Sequence, residues 1–520
     1  MSSESSATPS RKLFAASFIA LIATAFAFTL RIMLMDGWEV EFQLTKTQVG
    51  TIMGAGFWPF GISIVLFSLF IDRIGYGKAM AFAFICHIGF AVMTIMAGRM
   101  ETAEGSYQML WWGSIIGALG NGTVEAVINP LIATLFSKEK TKWLNILHAG
   151  WPGGIVVTGV VLLMLPQIGL DLSWQTQIAL ILIPTLIYGF MMLRANFPIN
   201  ERVAAGVGHR EMLAEVGWGG AFIVALMIAM EVTTNVLPIA FLQNIYAQLL
   251  IAVFFAGIYG LYARSFGRPM FVFLLLVMLL LATTELGTDT WIKDLMGPAM
   301  ADAFGIDAGW MLIYTATIMM LLRFFSGPII GALSPLGVLA ASAFTVTAGI
   351  YWLSILGGDS SSGAAVIFVA ATIYGVGQTY FWPTTLGVVS EQFPRGGAMT
   401  LNVIAGVGML GVGVLGGPWL GNVQDRSVTA ALEADNPVVY AEYATQEKPS
   451  LFGDYVALDA TKIKAAPPED KAVLEPAIVA GKMDALRKVA WLPILMLLAY
   501  IGLIFYFRSR GGYKPVDVDA

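Results

Sequence analysis

Three polar residues in one apolar segment are the first candidates for chemistry: Asn121, Glu125 and Asn129. Their spacing of i, i+4 and i+8 places them on one face of a helix. A charge at the middle of a bilayer costs at least about 2.5–3.5 kcal/mol, so this stripe should face a cavity or another helix. Burial favours the protonated form of a carboxylic acid. We therefore expect Glu125 to bind a proton or substrate, or else to hold the helices together through hydrogen bonds.

His148 lies in the first turns of the next apolar segment, shortly after Asn145. The chain turns once between Glu125 and His148, so the two side chains could meet and relay a proton. A lone histidine also serves often as a structural hydrogen-bond donor, and both roles stay open.

Arg31 lies in the second half of the first apolar segment. Because arginine stays charged in proteins, it must meet an anion there. Glu285 and Asp289 stand at i and i+4 in a later segment, and an ion pair with Arg31 would form an outer gate, part of a substrate site, or a static salt bridge. Alternatively, Arg31 binds a carboxylate of the substrate, which would indicate sugar acids rather than neutral sugars.

Planar amides and aromatic rings suit a polyhydroxyl ligand, because amides bond hydroxyl groups and rings cover the C–H face of a sugar. Gln378 and Trp382 are four residues apart, and Asn402 opens the following segment. Tryptophan is also common at membrane interfaces, where it acts as an anchor. Other aromatic candidates are Trp151, Trp58 and Trp291.

The composition requires a membrane. Of 520 residues, 57% are hydrophobic and only 12% are charged, against about a quarter in soluble domains. This excludes a soluble enzyme, a disordered chain and a nucleic-acid binder. One cysteine and three histidines exclude a disulfide framework and a multi-cysteine metal site, and no cofactor is expected.

A membrane-spanning helix needs roughly 20 apolar residues, and this criterion predicts an all-α polytopic protein with fourteen transmembrane helices. The predicted spans are 12–35, 48–71, 77–98, 107–136, 143–165, 174–196, 217–236, 241–263, 270–292, 309–332, 336–356, 363–391, 399–418 and 487–508.

Basic residues predict the orientation. With the N-terminus in the cytoplasm, the short outer loops contain only Lys46, Arg99 and Lys293. The even number of spans then places the C-terminus in the cytoplasm as well, in a multi-pass protein of the inner membrane. The span pattern divides as six, two and six. The resulting parts are a disordered tail 1–11, a six-helix bundle 12–197, a linker 198–216, two extra helices 217–269, a second six-helix bundle 270–508 that includes the external loop 419–486, and a tail 509–520.

The joint between the second and third spans reads SLFIDRIGYGK, residues 68–78, and its counterpart in the second half reads GALSPLG, residues 331–337. The first of these resembles the loop signature of the major facilitator superfamily. That resemblance implies two six-helix bundles and a cytoplasmic gate that involves Asp72 and Arg73. By sequence, Pro335 replaces the aspartate in the second copy.

A closer resemblance lies in GNGTVEAVINPLIATLF, residues 120–136, and LNILHAGWPGG, residues 144–154. These segments are similar to the fucose/galactose/glucose–proton symporter family, as are TELGTDTW, residues 284–291, and GVGQTYFWPTTLGVV, residues 375–389. The resemblance implies that Glu125 is the proton-linked carboxylate. The proposed proton-coupling residues are Glu125 and His148, and the proposed substrate-binding residues are Asn121, Asn129, Asn145, Trp151, Arg31, Glu285, Asp289, Gln378, Trp382 and Asn402.

The favoured function is import of a sugar or sugar derivative by proton symport through alternating access. The alternative is a proton-coupled exporter of drugs or metabolites, because the glycine-rich segment 406–421 resembles the Gly-Pro motif of such antiporters. No constellation for enzyme catalysis is present. The expected partners are a small molecule, protons and the lipid bilayer, with no nucleic acid, and the protein is expected to be monomeric.

Overall fold

The computed structural model describes residues 3–289, 309–356, 364–448 and 450–518. The described residues contain twelve helices that are long and apolar enough to cross a membrane, and the shorter apolar helix Gly309–Phe324. The end of the predicted span 270–292 and the start of the predicted span 363–391 lie outside the described residues, as do Trp291 and Lys293.

The helices follow the predicted spans in order, and they are numbered here as spans 1 to 14. The first half contains Ser3–Glu41 (span 1), Lys46–Gly54 with Trp58–Ile74 (2), Tyr76–Ala97 (3), Ala103–Leu135 (4), Lys140–His148 with Gly150–Met164 (5), and Trp174–Ala179 with Leu182–Met192 (6). The next two are His209–Glu231 (7) and Ile245–Ala263 (8). In the second half, span 9 is Pro269–Ala282 with the π-helical turn Thr283–Gly287, and span 10 is Gly309–Phe324. The first turns of Ser326–Leu356 complete span 10, and the rest of that helix is span 11. Span 12 is Ala364–Gln378 with Phe381–Gln392, span 13 is Gly397–Gly411 through Val412–Gly416 to Gly417–Asp435, and span 14 is Pro468–Val489 with Trp491–Arg508.

The packing of spans 1–6 recurs in spans 9–14. Span 1 packs against spans 5 and 6, span 4 against spans 2 and 3, and span 3 against span 6. In the second half, span 9 packs against spans 13 and 14, span 12 against spans 10 and 11, and span 11 against span 14. Each contact is thus repeated eight spans later.

The two halves meet mainly where span 2 packs on span 13 and span 5 on spans 10 and 12. Small residues make the first contact possible. A methyl group on Gly61 would lie 2.7 Å from Leu410 Cγ, and one on Gly406 would lie 2.6 Å from Val65 Cγ2. The glycines of segment 406–421 therefore bring backbones together, as small residues do in membrane helix pairs.

The joints between spans 2 and 3 and between spans 10 and 11 share one backbone conformation. Gly75 has φ 85° and ψ 146°, and Ser334 has φ 63° and ψ 160°. Aligned on these positive-φ residues, Asp72 corresponds to Gly331. The sequence alignment that paired Asp72 with Pro335 was wrong by four residues, because the turn conformation, and not the proline, marks the equivalent position.

The two extra helices lie at the edge of the second half. Span 7 packs on spans 8, 9 and 13, whereas span 8 packs mainly on span 7 and exposes Leu250, Phe254 and Leu261. Residues 209–216 of the predicted linker are helical and continue into span 7 through a kink at Gly217, φ 61°. A methyl group there would lie 1.9 Å from the Gly267 nitrogen, so this close crossing requires glycine.

Two predicted segments outside the spans contain helices. The first helix begins at Ser3, within the segment 1–11 that is predicted as a tail. Extending an existing helix costs little, because each added residue gains a hydrogen bond. The predicted loop 419–486 contains long extensions of spans 13 and 14, which pack together, and a small core of Leu432, Tyr443, Ala466 and Leu474.

Candidate functional site

A small cavity lies between the two halves, near the middle of the spans. It offers about 20 Å³ to the centre of a water molecule. Because one buried water needs roughly 10–15 Å³ by this measure, the cavity has room for a water molecule but is too small for a sugar in this conformation. Its lining comes from spans 2, 4 and 5 and from spans 9, 10, 12 and 13: Phe60, Glu125, His148, Trp151, Glu285, Leu286, Arg323, Trp382 and Met409.

The first half contributes a chain of three buried polar side chains. Asn129 Nδ2 donates to Glu125 Oε2 at 3.2 Å, and His148 Nε2 lies 2.9 Å from Asn129 Oδ1. Glu125 and His148 thus line the same cavity but are bridged by Asn129 and do not bond each other. The expected direct Glu125–His148 contact is corrected to a hydrogen-bonded chain in which Asn129 lies between the two side chains.

The second half contributes a buried ion pair. Arg323 Nη2 donates to Glu285 Oε1 at 3.2 Å. Its other nitrogens donate to the carbonyls of Thr379 and His148, each at 2.7 Å. Arg323 therefore binds both halves, since His148 belongs to span 5. Sequence analysis did not name Arg323 as a site residue; its position within an apolar span was the available signal.

Asp289 lies one turn from Glu285 but has its own partners. Tyr374 donates its hydroxyl to Asp289 Oδ1 at 3.0 Å, and Gln378 Nε2 donates to the same oxygen at 3.2 Å. Neither Asp289 nor Gln378 lines the cavity. The two residues hold spans 9 and 12 together beside it.

Two tryptophans, Trp151 and Trp382, line the cavity as expected for a sugar site, whereas Trp58 does not. Two buried acceptors at or near the cavity have no hydrogen-bond partner in the described residues: Glu285 Oε2 and Gln378 Oε1. An unsatisfied buried polar group costs about 1–3 kcal/mol. These acceptors are therefore suited to a ligand with hydroxyl groups.

Arg31 does not reach Glu285 or Asp289. Among the described residues, no carboxylate lies within ion-pair distance of its guanidinium, and Glu285 pairs with Arg323 instead. The predicted ion pair was wrong because Arg31 points to Gly56 in span 2: a methyl group on Gly56 would lie 2.0 Å from Arg31 Cζ.

Asn121 faces away from the cavity, which corrects its assignment to the substrate site. Its Oδ1 lies 2.9 Å from His87 Nε2, and His87 Nδ1 lies 3.0 Å from the Tyr188 hydroxyl. Eight residues of α-helix rotate a side chain by about 80°. Asn121 and Asn129 therefore meet different neighbours although both belong to one polar stripe.

Asn145 and Asn402 join the halves and do not line the cavity, which corrects their assignment as well. Asn145 Nδ2 donates to Thr384 Oγ1 at 3.2 Å, and Asn402 Nδ2 donates to the Ala126 carbonyl at 3.1 Å. Both lie between the cavity and the face where span 1 begins, called the terminal face below.

At the terminal face, Asp72 pairs with Arg202 of the linker, and Arg202 also donates to the Val207 carbonyl. Arg73 is exposed and makes no ion pair among the described residues, so its part in the gate stays a prediction. Consecutive helical residues are about 100° apart, and Arg73 therefore does not share the contact of Asp72 with Arg202. Arg202 lies against the start of span 13, where a methyl group on Gly397 would be 3.1 Å from its Cβ.

A second carboxylate at this face, Glu391, was missed by sequence reasoning. Glu391 Oε1 accepts from the Thr141 amide at 3.3 Å and from the Thr141 hydroxyl, at the N-terminus of Lys140–His148, where the helix dipole favours a negative charge. The Tyr513 hydroxyl of the C-terminal tail donates to Glu391 Oε2 at 2.8 Å. The charged turn after span 12 was the signal. These bonds join the two halves and the C-terminal tail at the terminal face.

A second, larger cavity of about 780 Å³ lies between spans 7, 8 and 13 and the segment that follows span 13. Glu231, Asn235 and Asp425 are among its lining, and Asn235 Nδ2 donates to Glu231 Oε2 at 3.1 Å. Glu231 is therefore buried and hydrogen-bonded. No group of three or more histidine, cysteine or acidic residues able to hold a metal occurs in the described residues.

The comparisons with known proteins agree with this architecture. The sequence profile of the Major Facilitator Superfamily matches residues 13–418. The chain belongs to this superfamily. It is therefore a multi-pass membrane protein of a transporter superfamily, with the predicted all-α fold of two bundles and extra helices.

Several solved structures are similar to the chain. The proton:xylose symporter XylE, from E. coli, has a TM-score of 0.63 at 13% identity, with 95% of this chain and 96% of that chain covered. FucP in an outward conformation has a TM-score of 0.50 at 16% identity, covering 92% and 98%. The human organic anion transporter MFSD10 has a TM-score of 0.55 at 12% identity, covering 95% and 99%. At these identities the likeness shows the fold alone. Comparison with curated proteins finds no match.

Proposed function

We propose that this member of the major facilitator superfamily imports a sugar or sugar derivative together with protons by alternating access. The observation that carries the proposal is the cavity between the halves, where Glu125 shares one space with Trp151 and Trp382. Glu125 is a buried carboxylate that makes no ion pair among the described residues. The carboxylate can hold the proton, and the rings and the unpaired polar atoms can hold a polyhydroxyl ligand.

The organisation of the chain supports this proposal. The repeated packing favours a division into bundles 12–197 and 270–508 with the two helices 217–269 inserted between them. Two bundles of this kind can rock about a central site. We place the terminal face and both termini in the cytoplasm and the protein in the inner membrane, and we take the transporting unit to be a single chain.

The mechanism starts with a proton and a substrate that enter from the face opposite to the termini. Glu125 takes the proton, and Asn129 and His148 position its carboxyl group through their hydrogen bonds. The substrate binds between Trp151 and Trp382. Opening of the terminal face then requires the Thr141–Glu391 and Asp72–Arg202 contacts to separate, which releases both cargoes.

Proton flux in proteoliposomes tests the proposal. Purified protein, with an internal pH dye and no imposed gradient, is challenged with neutral sugars, sugar acids and amphipathic cations. Acidification of the lumen when a sugar or sugar acid is added is the expected result. Proton movement driven by amphipathic cations alone would contradict import and favour the proton-coupled exporter.

A further inference from the structure

Arg31 is a buried cation for which the described structure provides no anion. The residue is only 3% exposed, and its Nε has no hydrogen-bond partner. Arginine cannot lose its charge to relieve this burial, and a buried charge without a partner costs several kcal/mol. Such a side chain is expected to be compensated by an anion in another state of the protein.

The position of Arg31 is suited to a ligand on its way to the cavity. It lies one helical turn from Phe28, on the same face of span 1. The Phe28 ring contacts Phe57 at 5.9 Å and Trp151 at 5.3 Å between centroids, and Trp151 lines the cavity. Arg31 therefore lies beside this aromatic cluster, on the side away from the terminal face.

Gly56 holds the guanidinium in place. Residues 55–57 interrupt span 2 between Lys46–Gly54 and Trp58–Ile74, and a methyl group on Gly56 would lie only 1.8 Å from Arg31 Nη2. The guanidinium is thus packed flat against a backbone that has no side chain. A donor group with a fixed orientation is the arrangement that a bidentate carboxylate requires.

The charged residues that line the cavity leave Arg31, which lies beside it, uncompensated. Arg323 is neutralised by Glu285 at 3.2 Å, whereas Glu125 meets no cation within ion-pair distance in the described residues and bonds the Asn129 amide. An anionic ligand would be repelled by a charged Glu125 but not by a protonated one. A proton on Glu125 and an anion beside Arg31 would therefore favour each other.

We propose that the substrate is a sugar derivative that carries a carboxylate, and that Arg31 binds this carboxylate. This inference rests on the proposed function and narrows its substrate class. One arginine offsets one negative charge, which favours a carboxylate over a phosphate dianion.

Matched pairs of ligands test the inference on the full-length protein in detergent. D-galactose is compared with D-galacturonate, D-glucose with D-glucuronate, and D-galactose 6-phosphate is added as a second anion, all at equal ionic strength by calorimetry. We expect each uronate to bind at least tenfold more tightly than its neutral partner. Binding of the neutral sugars at equal or greater affinity, or of the phosphate alone, would overturn the inference.

Variants assign the preference to one side chain. Arg31→Gln should abolish the tenfold preference, Arg31→Lys should keep part of it, and Arg99→Gln, which removes a charge from an exposed position, should leave it unchanged. A preference that survives in Arg31→Gln overturns the role of Arg31. Neutral-sugar uptake without uronate uptake would leave the proposed function standing, whereas transport of neither class would refute both.

Discussion

Glu125 and Glu285 face the same cavity but are held by different partners. Glu125 bonds an amide, Asn129, at 3.2 Å, and Glu285 bonds a guanidinium, Arg323, at the same distance. An amide stabilises a carboxyl group in either protonation state, whereas an adjacent cation favours the charged state. We therefore propose that Glu125 binds the proton and that the role of Glu285 is to pair with Arg323.

Substitution of Glu125 should separate coupling from binding. We expect Glu125→Gln to abolish proton-driven accumulation while sparing substrate exchange, because the amide keeps the shape and the bond to Asn129 but cannot carry a proton. Uptake and counterflow in proteoliposomes measure the two activities.

Glu231 provides a matched control for that experiment. It is also buried and also bonds an asparagine four residues later, Asn235 at 3.1 Å, but it lies outside the central cavity. Glu231→Gln should leave accumulation intact. Normal accumulation in Glu125→Gln would refute the assignment of the proton site.

Breaking the ion pair of the second half should destabilise the protein. Glu285→Gln leaves the Arg323 charge buried without its carboxylate, and removal of one partner of a buried pair costs about 3–5 kcal/mol. Thermal unfolding of the purified variant measures this loss. The double variant Glu285→Gln, Arg323→Gln should recover much of the stability but not the transport, and a double variant no more stable than the single one would contradict a direct pairing.

At the scale of elements, the repeated turn is strained in only one of its two copies. Gly75 adopts φ 85° without cost, but Ser334 adopts φ 63° with ψ 160°, a region almost restricted to glycine that costs about 1–3 kcal/mol. Ser334 Oγ accepts from the Gly337 amide at 3.4 Å, a helix cap that is worth only a few tenths of a kcal/mol relative to glycine.

Ser334→Gly should therefore stabilise the protein by about 1 kcal/mol. The free energy gained by relieving the backbone strain exceeds the free energy lost with the helix cap and with the greater conformational entropy of glycine in the unfolded chain. Thermal unfolding tests this. The reciprocal variant Gly75→Ser should destabilise by a similar amount, because its side chain would meet no atom within 4 Å and only the backbone conformation would change. A stabilising Gly75→Ser would exclude strain as the cause.

At the scale of the whole molecule, one carboxylate helps to keep the terminal face closed. Glu391 of the second half bonds Thr141 of the first, and a hydrogen bond to a charged group contributes about 1.5–3 kcal/mol. We expect Glu391→Ala to shift the protein toward a state that is open at this face by roughly ten- to a hundredfold.

Thiol labelling measures that opening. Leu401 is only 2% exposed and lines a small cavity beside Lys140 and Ser390, so Leu401→Cys in a Cys86→Ala background reports access from the terminal face. Labelling should be slow with Glu391 present and faster in Glu391→Ala. The control is Glu433→Ala, which removes an exposed carboxylate at the other face. Equal labelling rates in Glu391→Ala and Glu433→Ala would contradict a role of Glu391 in keeping the terminal face closed.

Which helices form, and their order, followed from the sequence, because apolar length and the position of basic residues act locally along the chain. Glu125, Trp151 and Trp382 could also be identified from the sequence as residues that face a cavity or another helix, because polar and aromatic side chains within apolar spans have few other roles. The repeated turn was also visible, although its alignment required φ values.

Partner choice was decided by the tertiary structure alone. Glu285 bonds Arg323 and not Arg31. Asp72 bonds Arg202 of the linker and not a residue close to it in the chain. Asn121 turns toward His87. Each outcome depends on how a helix is rotated about its axis and how close a glycine lets its neighbour come, and a rotation of about 80° within one polar stripe is enough to change the partner. Spacing along the chain defines a face of each helix, but packing of fourteen helices determines what that face meets.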